Sequence, residues 1–444
     1  MSIINKKEDM NEAPQEHTAG RALTLTGSAA LLHFLVDALC ACCLMQLATQ
    51  ATWADMVGVV MVYNVMAFLT QPLTGMLADR TKQPGLMLGA SAALLAMGVS
   101  AMLWACSVAP LTGLLYVVAS LLGMGNSLFH VWGGKRVAVA TGNDAAALGL
   151  FVAPGALGLA VGMLFHSWWL LVVLLTTTLF LAGWQLKVRP VSKELTYGTP
   201  SAHVVWLSVM ALMALVMIRS LLGESFSADM GKAGFTVLAI GGVAMLGKIA
   251  GGVAARWIGV AWTLVAVVIL LLLFRSNYPL LSLLLVNMTM AVTLWLANRV
   301  MNGREGLAFG LLAAALMPGY LLAQFGDERG QLALWLMLTL VPTVVIELAV
   351  LWCLRERRAD VLWSSVVANV LTNVPLHVFI IFVSDSLWAM VAGEVLVVLA
   401  ETAWYRYFAG PWRQAFIYSF LCNSISCVAG VLMQLVAQLV LMQM

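Results

Sequence analysis

Apolar runs of about 20 residues, divided by short polar connections, recur along the whole chain, and that is the length an α-helix needs to cross the hydrocarbon of a bilayer. The runs lie near 22–48, 54–78, 85–107, 110–132, 145–166, 168–186, 203–223, 233–255, 257–274, 278–297, 304–325, 331–354, 361–383, 387–405 and 414–441. The pattern predicts an all-α, polytopic membrane protein with about 15 transmembrane helices. The first run is too long for the core of a signal peptide. Residues 1–20, with Lys6, Lys7, Glu8, Asp9, Glu12 and Glu16, therefore read as a polar tail that precedes a retained helix.

Composition agrees with the pattern. Apolar residues make up 62% of the 444 positions and charged residues 10%, against about half and a quarter in soluble domains. A net charge of +3, scattered over connections, excludes nucleic acid as a partner and leaves membrane lipid as the surroundings. Basic residues fall on alternate connections: Arg80 and Lys82, Lys135 and Arg136, Lys187 to Lys193, Arg256, Arg299 and Arg304, Arg355 to Arg358, and Arg406 with Arg413. The positive-inside bias makes these connections cytoplasmic. The N-terminus is then cytoplasmic, and an odd helix count puts the C-terminus outside a bacterial inner membrane. Cys40, Cys42 and Cys43 lie in the first apolar run, where thiols behave as small hydrophobes; no metal site is assigned to them.

The longest internal polar stretch is the central loop at 188–201, which separates 21–187 from 202–330. Two loops on either side of it are related. Gly75-Met76-Leu77-Ala78-Asp79-Arg80-Thr81-Lys82 follows the second run, and Gly251-Gly252-Val253-Ala254-Ala255-Arg256 follows the eighth, with Gly and Arg at the same offset. Such duplication is the mark of two pseudo-symmetric halves. The glycines permit close helix approach, and a carboxylate or guanidinium at a helix end can bind helix termini of the other half. Gly75, Asp79, Arg80, Gly251 and Arg256 are thus the candidate cytoplasmic gate, with Ala255 where an Asp would complete the second copy. The polar turn Gly303-Arg304-Glu305-Gly306 opens a helix whose N-terminus could receive Asp79.

The loop signature resembles that of the major facilitator superfamily. Three further features resemble its fosmidomycin-resistance-like subgroup: His33 and Asp37 in the first run, Gly123 to His130 with Asn126 in the fourth, and Arg219-Ser220 in the seventh. The resemblance covers roughly 20–330. It implies a carrier that exports a small polar or drug-like solute in exchange for protons, through a cavity lined by the first, fourth, seventh and tenth helices. Pro154, Gly155, Gly158 and Gly162 resemble the Gly/Pro-rich helix of antiporters in that superfamily.

Independently of the family, a buried intramembrane acid is costly and marks function by default. His33 and Asp37 are four residues apart and share a helical face, as do Asn126 and His130. Asp37 with His33 is the candidate proton-coupling pair, and Asn126, His130 and Arg219 are the other cavity candidates, with Arg219 as counter-ion for Asp37 or an anionic substrate.

Residues 331–444 carry a repeat of their own. Glu347 precedes Asn369 by 22 positions, Glu401 precedes Asn423 by the same 22, and Ser365 and Ser419 each stand four before the Asn. This predicts a module of two helix hairpins whose polar sites are Glu347, Asn369, Glu394, Glu401 and Asn423, either a zipper that fixes packing or a proton or substrate path. No nucleophile and base, metal cluster or phosphate loop is legible, so no enzyme activity and no cofactor is assigned. The alternatives to a carrier are a membrane enzyme or maturation factor acting on a lipid-linked substrate, and a non-transporting scaffold or sensor.

Overall fold

The computed structural model describes residues 2–107, 112–188, 193, 197–198, 200–230, 234–274, 278–324, 329–382 and 386–443. The expected central loop at 188–201 and the ends of several expected spans fall largely outside them. Every described element is helical, in the order α1 Ser2–Ala48, α2 Trp53–Asn64, a π-helical turn Val65–Leu69, α3 Gln71–Arg80, α4 Pro84–Ser107, α5 Thr112–Thr141, α6 Ala145–Val152, α7 Pro154–Leu164, α8 Trp168–Lys187, α9 Ala202–Met230, α10 Phe235–Ile258, α11 Val260–Phe274, α12 Pro279–Val300, α13 Glu305–Ala314, α14 Leu316–Gln324, α15 Arg329–Cys353, α16 Ala359–Phe382, α17 Leu387–Phe408 and α18 Trp412–Gln443.

Among the described residues, 11 helical segments are long and apolar enough to cross a membrane, and two more, Val260–Phe274 and Leu340–Cys353, are apolar but shorter. That is the make-up of a multi-pass membrane protein. The outward surface agrees with a lipid solvent: Trp169 is 84% exposed and Trp257 81%, whereas a water-facing surface rarely carries large contiguous apolar patches. Two differences from the sequence pattern stand out. α1 continues back to Ser2, so the tail is helical, as its Glu, Lys, Gln and Ala content allows. Three expected spans are interrupted: by the π-helical turn between α2 and α3, by the break at Ala153 before Pro154, and by the break at Ala315 before Pro318.

The chain forms two compact units, 1–199 with 212–323, and 200–211 with 324–444. The second unit thus also takes in the start of α9. In the first unit, three Gly-x-x-x-Gly pairs bring helices into backbone contact. Gly158 and Gly162 of α7 lie on the carbonyls of Phe34 and Ala38 in α1. Gly247 and Gly251 of α10 lie on those of Leu284 and Met288 in α12, and Gly306 and Gly310 of α13 on those of Gly75 and Gln71 in α3. In lipid there is no hydrophobic drive between helices, so close packing at small residues supplies the association energy. These glycines have little room for a Cβ.

In the second unit, α15 and α16 are joined by a tight turn in which Arg355 has φ 64°. Glu356 is its hub. The carboxylate accepts the backbone N–H groups of Arg357 and Arg358, the Arg358 Nη2 at 2.6 Å and the Tyr418 hydroxyl at 3.0 Å. Burial works against ionisation of Glu356, but the Arg358 hydrogen bonds outweigh it and hold the carboxyl at about 2, below its ordinary 4.5. A depressed carboxyl stabilises the fold above the unfolded value and loses that effect as pH falls through the folded one. Glu356→Gln should therefore lower the thermal midpoint of the purified protein at pH 7. The gap from wild type should close between about pH 4.5 and pH 2, and a gap independent of pH would remove ionised Glu356 from the account.

Candidate functional site

The first cluster forms where α1 and α5 meet the break between α6 and α7. Pro154 has no amide hydrogen and disrupts the helical ladder around it, so carbonyls in the last turn of α6 are free to take side-chain donors. The Phe151 carbonyl bonds His33 Nδ1 at 2.8 Å, and the Val152 carbonyl accepts Lys248 Nζ at 3.2 Å. On α5, His130 Nδ1 bonds the Asn126 carbonyl one turn back at 2.9 Å.

These bonds assign the tautomers. A carbonyl only accepts, so each Nδ1 carries the hydrogen and each Nε2 of a neutral ring is a bare lone pair. Yet His33 Nε2 and His130 Nε2 face each other at 2.8 Å, a hydrogen-bond length. Two lone pairs at that distance repel, so the arrangement calls for one cation between them, in the simplest case a shared proton. Asp37 supplies the balancing charge: Oδ2 lies 3.3 Å from His33 Nε2, and Oδ1 lies 3.6 Å from His130 Nε2 and accepts Asn126 Nδ2 at 2.9 Å. His33 and Asp37 are buried, and His130 keeps a small exposed edge. Gly155 closes the cluster, because a Cβ there would fall on Asp37 Oδ2 and His33 Nε2.

Of the five cavity candidates, His33, Asp37, Asn126 and His130 are brought into one network and Arg219 is not. Among the described residues no ion pair joins Arg219 to Asp37; its Nη1 donates to Met290 Sδ. A cation that the sequence reading passed over, Lys248, is held on the Val152 carbonyl, next to the Phe151 carbonyl that bonds His33. It stands mid-way in the 24 residues of α10, and the default that an intramembrane charge is functional would have found it. The three ligand atoms of His33, Asp37 and His130 also converge well enough to hold a metal ion. That was hidden in the sequence, since His130 lies on another helix. Cys40, Cys42 and Cys43 are buried free thiols.

The second group lies at the helix ends that carry the basic connections. Asp79, its carboxylate 2% exposed, accepts Lys135 Nζ at 2.9 Å, the Gly306 N–H at 2.8 Å and the Leu307 N–H at 2.9 Å. It thereby caps the N-terminus of α13, where the helix dipole favours an anion. Gly75 lets α3 approach, since a Cβ there would meet the Gly306 carbonyl. Arg80 is exposed at the end of α3. The second copy differs. Gly251 packs on Met288 of α12, and Arg256 Nη1 pairs with Asp144 Oδ2 at 3.3 Å. Asp144 caps its own helix, α6, by accepting the Ala146 N–H. Ala255 packs against Ala145 and Val292, so the carboxylate missing from α10 is provided by the helix that α10 packs against. Asn143, with φ 59°, donates to the Trp295 carbonyl and accepts Asn298 Nδ2 at 3.0 Å. Lys135 was legible only as a basic connection, and Asp144 and Asn143 were not legible at all, because their partners lie over 50 residues away.

In the second unit, the Glu and Asn of each repeat meet. Asn369 Nδ2 donates to Glu347 Oε2, and Asn423 Nδ2 to Glu401 Oε2, both at 2.6 Å. Thr372 of α16 donates to Glu401 Oε1 at 2.8 Å, so Glu401 ties α16, α17 and α18. Glu394, also on α17, is partly exposed. Glu401→Ala would leave one N–H of the buried Asn423 amide without its acceptor and open a cavity, at about 2–4 kcal/mol. Glu394→Ala should cost little. Thermal unfolding of the two variants measures the difference, and equal midpoints would sink the zipper account.

No protein-family model and no curated protein matches this sequence.

Proposed function

We propose that the chain is a proton-coupled secondary transporter of the major facilitator type, moving a small polar or drug-like solute across a bacterial inner membrane by alternating access. The observation that carries this reading is the His33–His130 pair with Asp37: a buried place for one exchangeable positive charge, beside a broken helix. Coupling sites of secondary transporters are formed at such breaks, where freed carbonyls meet charged side chains.

Matched contacts support two pseudo-symmetric halves. α3 packs on α13 and α10 on α6, each through the loop-motif glycines or their neighbours. α7 packs on α1, and Gly319 of α14 likewise packs on Met217 and Ser220 of α9. The Asp79 and Asp144 contacts hold together the end where Arg80, Lys135, Arg256 and Arg304 gather, which the positive-inside bias makes cytoplasmic. On this reading the contacts close a gate that must open once per cycle. Residues 331–444 are read as a polar-zipped module. A catalytic role for them is the second reading, and the isosteric Glu401→Gln separates the two, because the Thr372 hydroxyl can rotate to accept and the fold survives.

The test is pH-gradient-driven flux in proteoliposomes, with small anions, antimetabolites and metabolites as cargo. Uptake or extrusion of one of them that collapses when the gradient is dissipated is the expected result. Well-folded protein that moves neither protons nor any solute would overturn the proposal.

A further inference from the structure

We propose that His33, His130 and Asp37 form a binding site for a borderline divalent transition-metal ion, Zn2+ in the first place, which occupies the position of the shared cation. The inference rests on the cation-site reading above, and on geometry rather than on transport. A tetrahedral ion with bonds of about 2.0 Å keeps its ligand atoms about 3.3 Å apart. The separations here are 2.8 Å between the two Nε2 atoms, and 3.3 Å and 3.6 Å from them to the Asp37 oxygens. The last two run to different oxygens, Oδ2 and Oδ1; with one ligand atom taken from each residue, all three lie within 4.8 Å of one another, so a small rotation of the carboxylate would bring one oxygen into place for the ion.

The surroundings are those of a built site. Each ligating imidazole is held by its other nitrogen on a backbone carbonyl, Phe151 for His33 and Asn126 for His130. That is the outer-shell arrangement that fixes tautomer and ring direction in metal sites. Asn126 holds the carboxylate in the same way. Two imidazoles and a carboxylate suit Zn2+, Co2+ and Ni2+ and disfavour Mg2+ and Ca2+, which want oxygen alone. Three protein ligands leave a fourth position open, the ligand count of an exchangeable site. His33 and Asp37 come from α1 and His130 from α5, so a bound ion would fasten the two helices together and exclude the proton that the pair otherwise shares.

The nearest rival is the group of thiols on α1, since Cys40 Sγ lies 3.9 Å from Asn126 Nδ2. The full chain purified in detergent should be titrated with zinc chloride by calorimetry, and with cobalt chloride by absorption spectroscopy. The expected result is one ion per chain, tetrahedral Co2+ bands without thiolate charge transfer, and no heat with calcium. His33→Gln and His130→Gln should each weaken binding at least about 100-fold, the upper range for loss of even an orienting partner. Alanine at Cys40, Cys42 and Cys43 together should leave binding unchanged. No bound ion, or a thiolate band in the wild-type spectrum, would overturn the proposal, and the spectrum needs no variant to fold. Proton flux recorded without metal on the same preparation keeps the two readings apart. Zinc binding without flux removes the transporter and leaves the site, and flux without zinc binding does the reverse.

Discussion

Asp37→Asn is expected to reduce proton-driven flux in proteoliposomes at least about 100-fold while leaving expression and folding intact. The substitution keeps the shape, and the amide oxygen it introduces can still accept the hydrogen bond from Asn126 that Asp37 Oδ1 receives at 2.9 Å. What it removes is the negative charge 3.3 Å and 3.6 Å from the two facing imidazole nitrogens. A positive charge left unpaired in a buried site costs about 3 kcal/mol or more, and each 1.4 kcal/mol is about tenfold in occupancy. The shared proton then has no counter-charge, and the cycle loses its coupling step. Flux in Asp37→Asn equal to wild type would remove Asp37 from the mechanism. His130→Gln serves as the companion variant, since it deletes one of the two nitrogens and should fail in the same assay.

Asp79→Ala should release the N-terminus of α13. The carboxylate makes two bonds to backbone N–H groups and one to Lys135. Hydrogen bonds to a charged group contribute about 1.5–3 kcal/mol each. Lys135 is a quarter exposed and recovers part of its share from water, so a net loss of about 3 kcal/mol is expected. The direct measurement is amide hydrogen exchange at Gly306 and Leu307. It should quicken about 100-fold, because local opening is governed by the free energy of that local contact. Asp79→Asn, which can accept but not as an anion, should fall between. Exchange as slow in Asp79→Ala as in wild type would mean that the cap does not hold α13 to α3. Gly75→Val should give at least as large an effect by another route, since it drives a side chain into the Gly306 backbone.

Much of the fold was legible because lipid imposes a simple code: each crossing must satisfy its own backbone, so it must be a helix of about 20 apolar residues. The same code blurs where a helix is broken. The interruptions at 65–69, 153 and 315 lie inside apolar runs, and hydropathy does not register a π-turn or a proline kink. The acid and amide pairs of the C-terminal module were also legible, because a repeat spacing of 22 residues places Glu347 against Asn369 and Glu401 against Asn423 in successive helices. Among the described residues 11 helical segments are long and apolar enough to cross a membrane.

What the sequence determined by itself is the solvent, the helical class, the glycine contacts of the loop motifs, and a short list of intramembrane charges and amides, because each is set by local composition or by spacing along one helix. What only the tertiary structure decided is which of these meet. His33 faces His130 across 97 positions, Asp79 reaches Gly306 across 227, and Asp144 beside α6 answers Arg256 on α10 where α10 itself has Ala255. Arg219, a natural partner for Asp37 by sequence, is turned to Met290, and Lys248, which the sequence did not single out, is held by the Val152 carbonyl. The reason is physical: a buried charge is stabilised by whatever partner the packed helices bring within hydrogen-bond reach, and helical period constrains neighbours three and four residues away but carries no information about the helix that packs alongside.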